Sequence, residues 1–374
     1  MTVPIADLPP MRVPERVPSL RASLDEAGCE ALLVTNLKNI RYLTGFTGSA
    51  ALLLVLPDDL LFVTDGRYET QSADQLAKAG VEARIAVGGP AIQRETVRDA
   101  AGAIARLGLE ATSVTWAAQR SYAADWFPSA ELVPTTGMVE RLRRVKDEGE
   151  IARIAEAARI ADAALATVRP LLTERPTEVE FGQALDFEIR RLGATGNSFE
   201  TIVAGGPNGA RPHHRPSSRR IESGELVVLD FGALVDGYCS DITRTVSIGQ
   251  PASSTLQRMV DVVAETQAAG VAAVRAGVAA ADIDRACRDT LARLEPDWVD
   301  AFKHSTGHGV GLDIHESPAV GATSADTLAV GHVVTVEPGV YLPEHGGVRI
   351  EDTVVVTETG SIPLTHAPKE LIVQ

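Results

Sequence analysis

Four acidic residues interrupt or end apolar, strand-like segments in the second half of the chain. Asp230 ends the run LVVLD, and Asp241 follows eleven residues later, beyond the turn VDGYC. Glu337 closes the run VVTVE, and Glu351 stands fourteen residues further on, inside VRIEDTVVV. Because adjacent strands joined by short turns pair antiparallel, each hairpin would bring one acidic pair to one place.

The burial of these carboxylates would cost free energy unless a positive charge faced them. An aspartate at a strand end, such as Asp230, is by itself more typical of a turn. Glu351 differs because it interrupts an apolar strand, and four carboxylates without lysines beside them in the sequence would repel one another strongly. The pattern therefore predicts a site for two divalent cations.

Three of the eight histidines lie in a single glycine-containing segment, HSTGHGVGLDIHE. They are His304, His308 and His315. His308 is flanked by two glycines, which let the backbone approach a crowded centre closely. Because imidazole is the commonest neutral metal ligand, we predict His308 as the fifth ligand.

Four carboxylates and one imidazole favour Mn, Co or Zn over ions that prefer thiolates, and we expect Mn. Two such ions about 3.5 to 4 Å apart would share a water molecule, lower its pKa and present hydroxide to a carbonyl group. The predicted chemistry is hydrolysis.

The composition limits the classes of protein to which the chain can belong. Its 374 residues exceed what one hydrophobic core usually organises, so we expect two domains. A formal net charge of −15 argues against binding to nucleic acid or to an anionic lipid surface. The longest apolar runs are far below the ~18 residues of a membrane span, and the opening MTVPIADLPP does not read as a signal peptide. We predict a cytoplasmic protein without a nucleic-acid or membrane partner.

Three widely spaced cysteines, Cys29, Cys239 and Cys287, form no CxxC motif. An odd number without a pattern argues against a disulfide framework and against a thiolate zinc site. Cys239 is close in sequence to the acidic residues, and we interpret it as a small buried hydrophobic residue.

The first 140 residues alternate short strand-like runs with helical segments, which predicts a small α/β layer. The strand-like runs are EALLVTN, AALLLVLP, LLFVTD and VEARIAV, and the helical ones are ETQSADQLAKAG and ETVRDAAGAIARLG. Turn residues and then charged residues follow within VPTTGMVERLRRVKDEGE. We place the domain boundary there, with domains at 1–140 and 141–374.

The second domain is predicted to be α+β. Helices at 149–168 and 177–192, the latter opened by a T-x-x-E capping-box pattern, precede three strand-like segments. Helices at 253–275 and 280–294 precede two more, HVVTVEPGVYL and GGVRIEDTVVVT. Two helices followed by paired strands thus occur twice, which predicts a sheet built from two related halves.

Four motifs of the second domain, in their order along the chain, resemble those of a known family. The segments VLDFGALVDGYCSDITRT, HSTGHGVGLDIHE, VTVEPGVY and GGVRIEDTVVVT resemble the pita-bread metallopeptidases. The resemblance is to their proline-cleaving branch, which includes prolidases (Xaa-Pro dipeptidases) and aminopeptidase P. NIRYLTGFTGS and FVTDGRY resemble the creatinase-type amino-terminal domain of that branch. The resemblance covers nearly the whole chain and implies a pita-bread catalytic domain with pseudo-twofold halves, preceded by a smaller α/β creatinase-type domain.

The resemblance also implies a role for each ligand position. Asp230 would bind one metal ion, and Asp241 and Glu351 would bridge both. His308 and Glu337 would complete the second metal site. Glu337 would in addition accept a proton from the attacking water and pass it toward the leaving nitrogen.

Other residues match substrate-facing positions of the family. His315 matches the histidine that stabilises the tetrahedral oxyanion, and His213 matches a second such histidine, with the neighbouring His214 as the alternative. His304 matches a histidine near the proline-binding pocket, and Arg349 matches an active-site arginine. Alternatively, His304 supports a metal ligand without binding metal itself, and Arg349 balances the charge of the acidic centre. Three histidines match no ligand position, and we interpret them as structural or solvent-facing: His332, His345 and His366.

An Xaa-Pro bond is a tertiary amide without an N–H group, and the proline ring fixes φ. A peptidase for this bond needs a pocket for the ring and a strong electrophile, which a dimetal centre flanked by histidines would supply. A dipeptidase must also bind the carboxylate that follows proline, and arginine is the natural donor. The sequence offers Arg41, Arg67, Arg211, Arg215 and Arg349, and does not select among them.

We predict an Xaa-Pro dipeptidase, with aminopeptidase P acting on longer peptides as the alternative. The resemblance further implies a homodimer. Methionine aminopeptidase is disfavoured because it normally lacks a domain like residues 1–140, and creatinase because it lacks an intact ligand set. The rival from another class is a metal-free pita-bread protein that serves as a binding module. Such proteins lose ligands, whereas all five positions are filled here.

Overall fold

The computed structural model describes residues 3–373, and the chain divides into two compact units. One unit comprises Met11–Arg143, and the other comprises the residues up to Pro10 together with those from Arg144 onward. Hydrogen bonds join residues 3–10 to the rest of this larger unit. Val3 N donates to Glu156 Oε1, and Arg153 Nη1 donates to the Pro9 carbonyl oxygen, each at 3.0 Å.

The first unit contains a six-stranded mixed sheet in the order β4-β3-β2-β1-β5-β6. Its strands are β1 (Ala31–Val34), β2 (Leu52–Val55), β3 (Leu60–Thr64), β4 (Arg84–Val87), β5 (Arg106–Glu110) and β6 (Glu131–Thr135). Its helices are α1 (Arg16–Arg21), α2 (Leu37–Thr44), α3 (Glu69–Lys78), α4 (Pro90–Ala101), α5 (Trp116–Ser121) and α6 (Met138–Arg143). Buried leucines and valines of β1, β2, β3 and β5 pack with Val97 of α4 in one apolar cluster. This confirms the predicted α/β layer.

The predicted helical segment ETVRDAAGAIARLG is wrong in its second part. α4 ends at Ala101 because Gly102, with φ 47°, takes the chain out of the helix. The remaining residues enter β5, where Leu107 and Leu109 are buried. Two apolar residues separated by one position follow the period of a strand, and this local signal was outweighed by the helical residues before it.

Four long helices belong to the second unit: α7 (Glu148–Val168), α8 (Glu178–Arg191), α9 (Ser254–Ala273) and α10 (Ala280–Leu294). Their bounds lie within two residues of the predicted ones. Complete capping boxes begin α7 and α8, with Asp147 and Thr177 as the N-caps. Of the helices in the described part of the chain, none combines the length and the apolar character that a bilayer crossing requires.

Within residues 3–373, the strands of the second unit form four sheets, in the orders β11-β10-β7, β20-β12-β9-β8, β14-β13-β15-β18-β19 and β16-β17. The strands before α9 are β7 (Gly196–Asn197), β8 (Ile202–Gly205), β9 (Leu226–Phe231), β10 (Ala233–Val235), β11 (Tyr238–Cys239) and β12 (Ile242–Ile248). Those after α10 are β13 (Gly307–Gly309), β14 (Glu316–Val320), β15 (Val333–Val336), β16 (Gly339–Leu342), β17 (Gly346–Arg349), β18 (Asp352–Val356), β19 (Ser361–Pro363) and β20 (Ile372–Val373).

Each half of the second unit has an apolar cluster of its own. In the first half, residues of α7 and α8 pack against alternate residues of β9 and β12, such as Leu229 and Val246. In the second half, residues of α9 and α10 pack against alternate residues of β15 and β18, such as Val334 and Val354. The two halves therefore repeat one arrangement of two helices on paired strands, as predicted, but their strands form separate sheets and not the single sheet that was expected.

The acidic residues occupy the strand faces that the helices do not cover. Because side chains alternate along a strand, Asp230 points away from Leu229 and Phe231, which pack against α7 and α8. By the same alternation Glu337 lies on the opposite face from Val336, which packs against α9 and α10. The fold thus directs both halves' carboxylates to the side of the sheets that is free of helices.

The cysteines and the histidines outside the predicted site have the environments of structural or surface residues. All three cysteines are buried, and Cys239 is only 3% exposed, which confirms its interpretation as a small buried hydrophobic residue. His345 and His366 are exposed, whereas His332 is buried and its Nδ1 accepts a hydrogen bond from Ala329 N at 3.2 Å.

Burial of His332, together with the positive charges of Arg144 and Lys146, lowers the pKa of its imidazole to about 4. The unfolded chain binds this proton at about pH 6.5. As the pH falls from 6.5 toward 4, the unfolded state therefore gains a proton that the folded state does not. Stability is lost over that window, by up to about 3 kcal/mol.

The variant His332→Asn, whose Oδ1 can accept the Ala329 hydrogen bond, should lose less unfolding free energy than the parent between pH 6.5 and 4. Denaturant unfolding at several pH values measures the difference. His345→Gln, which replaces an exposed histidine, is the control and should follow the parent. Parallel pH profiles for His332→Asn and the parent would contradict the prediction.

Candidate metal centre and active site

All nine residues predicted for the site line one cavity of about 540 Å³ in the second unit. They are His213, Asp230, Asp241, His304, His308, His315, Glu337, Arg349 and Glu351. They come from segments separated by as many as 138 positions in the sequence, from 213 to 351. Tertiary folding therefore brings together the residues that the motifs singled out.

The strand register explains how the four carboxylates meet. In the second half, Val336 pairs with Asp352 and Gly339 pairs with Arg349, so the same register places Glu337 across from Glu351. In the first half, Asp230 pairs with Thr243. Asp241 stands two residues before Thr243 and therefore on the same face. The second hairpin has directly opposed acids, whereas the first has diagonal ones.

Asp241, His308 and Glu351 form the tightest group. Each offers one ligand atom, and these atoms all lie within 4.8 Å of one another. Asp230 and Glu337 flank the group. Asp230 Oδ2 is bound by Arg349 Nη2 at 2.5 Å, and Glu337 Oε1 lies 3.3 Å from His308 Nε2.

The electrostatics of the cluster fit positive ions. Burial raises the pKa values of Asp241 and Glu351 well above their usual range, and repulsion between neighbouring carboxylates raises them further. Burial likewise raises the pKa of Asp230. Among residues 3–373, Asp230 Oδ1 and Glu351 Oε1 are buried without a hydrogen-bond partner. Unpaired carboxylate oxygens beside an imidazole are a donor set for divalent ions such as Mn, Co or Zn.

His308 presents Nε2 to the carboxylates. Its Nδ1 lies 3.0 Å from the Gly309 carbonyl oxygen, which can only accept, so Nδ1 carries a proton. Nε2 lies 3.5 Å from Asp241 Oδ2. Burial alone would lower the pKa of His308, but the hydrogen bond and the charge of Glu337 outweigh it and raise that pKa. The carbonyl contact thus fixes the tautomer whose Nε2 can bind a metal ion.

The glycine before His308 allows this close packing. A Cβ at Gly307 would lie 2.0 Å from the Thr335 carbonyl oxygen, a distance that two atoms without a covalent bond cannot occupy. The backbone of β13 therefore approaches β15 more closely than any other residue type would allow. Thr335 Oγ1 uses this proximity to accept the His308 backbone N–H at 3.1 Å.

Arg349 is buried and its guanidinium contacts several groups of the site. Besides Asp230, it donates to Thr243 Oγ1 at 3.1 Å and to Tyr341 Oη at 2.7 Å. Thr243 in turn donates to Glu351 Oε2 at 2.7 Å. Arg349 therefore balances part of the negative charge and links the two hairpins.

His304 is connected to the same network through Tyr341. Its Nδ1 donates to the Ser305 carbonyl oxygen at 2.8 Å, so its Nε2 accepts from Tyr341 Oη at 2.9 Å. Burial lowers the pKa of His304 and raises that of Tyr341 to about 12, which keeps this donor and acceptor pair neutral at pH 7. The hydroxyl of Tyr341 thus connects His304 to Arg349.

His315 lies on the solvent side of the cavity and is exposed. Its ring stands edge-to-face against the ring of His308, with centroids 4.2 Å apart. Partial burial and the neighbouring His308 charge lower the pKa of His315. The next residue, Glu316, forms a buried ion pair with Lys146 at 2.7 Å, which fixes the segment that carries His315.

The structure distinguishes His213 from His214. His213 is exposed at the cavity wall, whereas His214 Nε2 lies 3.0 Å from Glu178 Oε2. Glu178, the first residue of α8, is fully buried and also accepts hydrogen bonds from three residues. These are Gly205 N, Asn208 Nδ2, Ser217 N and Ser217 Oγ, at 2.6 to 3.1 Å. His214 therefore anchors the loop, and His213 faces the cavity.

The sequence did not reveal the residues that position the cavity-lining side chains through hydrogen bonds. Thr243, Tyr341 and Glu178 belong to common residue types in ordinary sequence contexts. A weak signal existed for Tyr341, which lies in the motif VEPGVY, and for Thr243, which lies in SDITRT. For Glu178 the sequence indicates only an acidic residue in the first turn of a helix, which is common at that position.

Glu178 provides a test of the loop's anchoring. Burial alone would raise its pKa, but hydrogen bonds from Ser217, Asn208 and Gly205 outweigh burial and lower it, so Glu178 is a carboxylate. Glu178→Gln would turn one acceptor oxygen into an NH₂ group that faces donors. We expect a loss of about 1 to 3 kcal/mol of stability.

We also expect faster hydrogen exchange at the amides of Gly205 and Ser217. Thermal unfolding and hydrogen-exchange measurements check both effects. Glu180→Gln alters an exposed acid in the same helical turn, keeps an oxygen that can accept the capping hydrogen bond from Thr177 N, and is the matched control. Unchanged exchange at both amides in Glu178→Gln would show that Glu178 does not hold the loop.

The chain matches two family models. Metallopeptidase family M24 matches residues 152–358, and the Creatinase/Prolidase N-terminal domain matches residues 16–145. The first match includes all the cavity residues discussed above.

Relatives and solved structures agree over nearly the full length. An uncharacterized peptidase of Bacillus subtilis, YqhT, is 44% identical over 358 residues, which are 96% of this chain and 99% of the relative. The structure of an Xaa-Pro dipeptidase from Bacillus anthracis is 40% identical, with a TM-score of 0.91, over 96% of this chain and 99% of that one.

An X-Pro aminopeptidase from Thermotoga maritima is 34% identical, with a TM-score of 0.84, over 94% of this chain and 100% of that one. The family models and these full-length similarities bear out the fold and the family predicted from the motifs. The chain therefore belongs to metallopeptidase family M24 and carries the Creatinase/Prolidase N-terminal domain before its catalytic domain.

Proposed function

We propose that this chain is an Xaa-Pro dipeptidase (prolidase) that hydrolyses the bond between a residue and a following proline with the help of two divalent cations. The observation that carries the proposal is the meeting of four carboxylates and one imidazole in a cavity whose wall also presents two histidines. The full-length similarity to the Bacillus anthracis dipeptidase supports the choice of substrate.

Five residues would hold the cations. We assign Asp230 to the first site, Asp241 and Glu351 to both, and His308 and Glu337 to the second. When bound, the cations would supply Lewis acidity, which polarises a carbonyl group and lowers the pKa of water. Mn is the expected ion, with Co or Zn as alternatives, because oxygen ligands dominate the set.

Glu337 is proposed to move the proton. The hydrogen bond and the charge of His308 outweigh burial and lower the pKa of Glu337, so it is a carboxylate able to accept a proton from water. Its Oε2 lies 3.9 Å from Arg349 Nε, which stabilises that charge. After the attack, Glu337 would return the proton to the proline nitrogen, because that nitrogen leaves as an amine and needs one.

His213 and His315 are proposed to stabilise the oxyanion of the tetrahedral intermediate. Both are exposed at the cavity wall, where a substrate can reach them. A neutral imidazole has one N–H donor, so each ring would contribute one hydrogen bond. His304 would lie near the proline-binding pocket, and Arg349 would act in the active site beside Asp230.

A proline-specific enzyme suits this site because the substrate has no amide N–H to anchor. Binding must then rely on the ring, on the terminal charges and on the electrophile. Aminopeptidase P remains the second candidate, since the chain is also similar over its full length to the Thermotoga maritima X-Pro aminopeptidase. The dipeptidase is favoured by the higher identity and TM-score of the Bacillus anthracis structure. A homodimer in the cytoplasm is part of the proposal.

Two substrates separate the candidates. The Mn-loaded protein should release proline from Ala-Pro with a kcat/KM at least about tenfold above that for cleavage of Ala-Pro-Ala. Amino-acid analysis of the products gives both rates. Comparable or faster cleavage of Ala-Pro-Ala would favour the aminopeptidase instead. No cleavage of either peptide, with two metal ions bound per chain, would overturn the proline-specific proposal.

Glu351→Gln tests the metal ligands without an activity measurement. Removal of one of the buried, mutually repelling carboxylates should leave the metal-free variant at least as stable as the parent. Added Mn²⁺ should raise the melting temperature of the parent, because ligand binding stabilises the folded state. It should raise that of the variant by less than about half as much.

Glu200→Gln is the control for this measurement, since Glu200 is an acid of the same cavity outside the ligand group. Its Mn²⁺-induced shift should equal that of the parent. An undiminished shift in Glu351→Gln would exclude Glu351 as a ligand.

A further inference from the structure

We infer that Arg215 binds the free carboxylate of the dipeptide and thereby sets the preference for dipeptides over longer peptides. This inference rests on the proposed function. Among the described residues that line the cavity, Arg215 and Arg349 are the two arginines, and no lysine lines it. Within the second unit, a carboxylate that enters the cavity can therefore be bound by either of two guanidinium groups.

Arg349 has few donors left for a substrate. It is 3% exposed, and four of its five N–H groups are directed at protein acceptors. Nε donates to Thr243, Nη1 to Tyr341 and to the Pro212 carbonyl oxygen, and Nη2 to Asp230. A substrate carboxylate would have to break these bonds and would lie beside Asp230, which repels it.

Arg215 has the opposite character. Its side chain is 82% exposed, and its Nη2 forms an ion pair with Glu200 Oε2 at 3.2 Å. Glu200 is itself 61% exposed and lines the same cavity. Exposed ion pairs of this kind are weak, so an incoming carboxylate can replace Glu200 at little cost. The planar guanidinium can then bind both oxygens of the carboxylate.

The backbone at Arg215 is nevertheless held in place. His214 and Ser217, on either side of it, are both hydrogen-bonded to the buried Glu178. The loop that positions His213 at the cavity therefore also positions Arg215, two residues later. Because the backbone is held and the guanidinium is exposed, Arg215 can bind a carboxylate without a rearrangement of the loop.

Substrates with and without a terminal carboxylate distinguish carboxylate binding by Arg215 from a general effect on activity. The charge of Arg215 should matter for Ala-Pro, which ends in a carboxylate, and not for Ala-Pro amide, which has the same scissile bond without the negative charge. We expect Arg215→Ala to raise the KM for Ala-Pro about five- to tenfold and to leave kcat and the KM for the amide nearly unchanged. Arg215→Lys should restore part of the loss.

Two further variants sharpen the experiment. Arg211→Ala removes the same charge from the same loop at a position that does not line the cavity, and it should behave as the parent. Glu200→Gln removes the internal competitor and should lower the KM for Ala-Pro. A second readout is inhibition by free proline and by prolinamide, in which Arg215→Ala should weaken inhibition by proline alone.

The outcomes separate this inference from the proposed function. If the parent cleaves Ala-Pro but Arg215→Ala changes Ala-Pro and Ala-Pro amide equally, or changes neither, Arg215 does not bind the carboxylate. If Arg215→Ala and Arg211→Ala raise the KM for Ala-Pro equally, the effect belongs to the charge of the loop and the inference is wrong. If the parent cleaves neither Ala-Pro nor Ala-Pro-Ala, the proposed function itself fails.

Discussion

Repulsion among buried carboxylates is the constraint on which the rest of the site depends. One cavity contains all four carboxylates: Asp230, Asp241, Glu337 and Glu351. Burial raises the pKa values of Asp230, Asp241 and Glu351, whereas the neighbouring His308 lowers the pKa of Glu337. Arg349 offsets part of the charge through Asp230. Because buried like charges are costly, this arrangement persists only where the surrounding fold supplies stability or where cations bind.

The fold supplies that stability by separating apolar and acidic faces. In each half of the second unit two helices cover one face of the paired strands, and the acids lie on the other. The ligand side chains are then fixed by neighbours with hydrogen bonds of their own, such as Thr243 with Glu351 and Gly309 with His308. A donor set held in this way needs little reordering when ions bind.

The substrate side of the cavity is built differently from the metal side. Asp230 lies on β9, and the other three carboxylates each lie one residue beyond the end of a strand, whereas His213, His315 and Arg215 are exposed on connecting segments. These segments are nevertheless anchored by the buried residues Glu178 and Lys146. Strands give the metal ligands a fixed geometry, and loops allow specificity to differ among proteins that share the fold.

The sequence by itself determined the ligand types, their faces and the repeated helix and strand order, because alternation along strands and helix capping are local rules. The end of α4 was predicted wrongly, because Gly102 and the strand alternation beyond it outweigh the helical propensity of the segment. Only the tertiary structure decided that His214 turns to Glu178 while His213 faces the cavity, and that Arg349 is occupied while Arg215 is accessible. Those distinctions depend on contacts between residues far apart in the chain, such as Arg349 and Asp230, and no local pattern specifies such contacts.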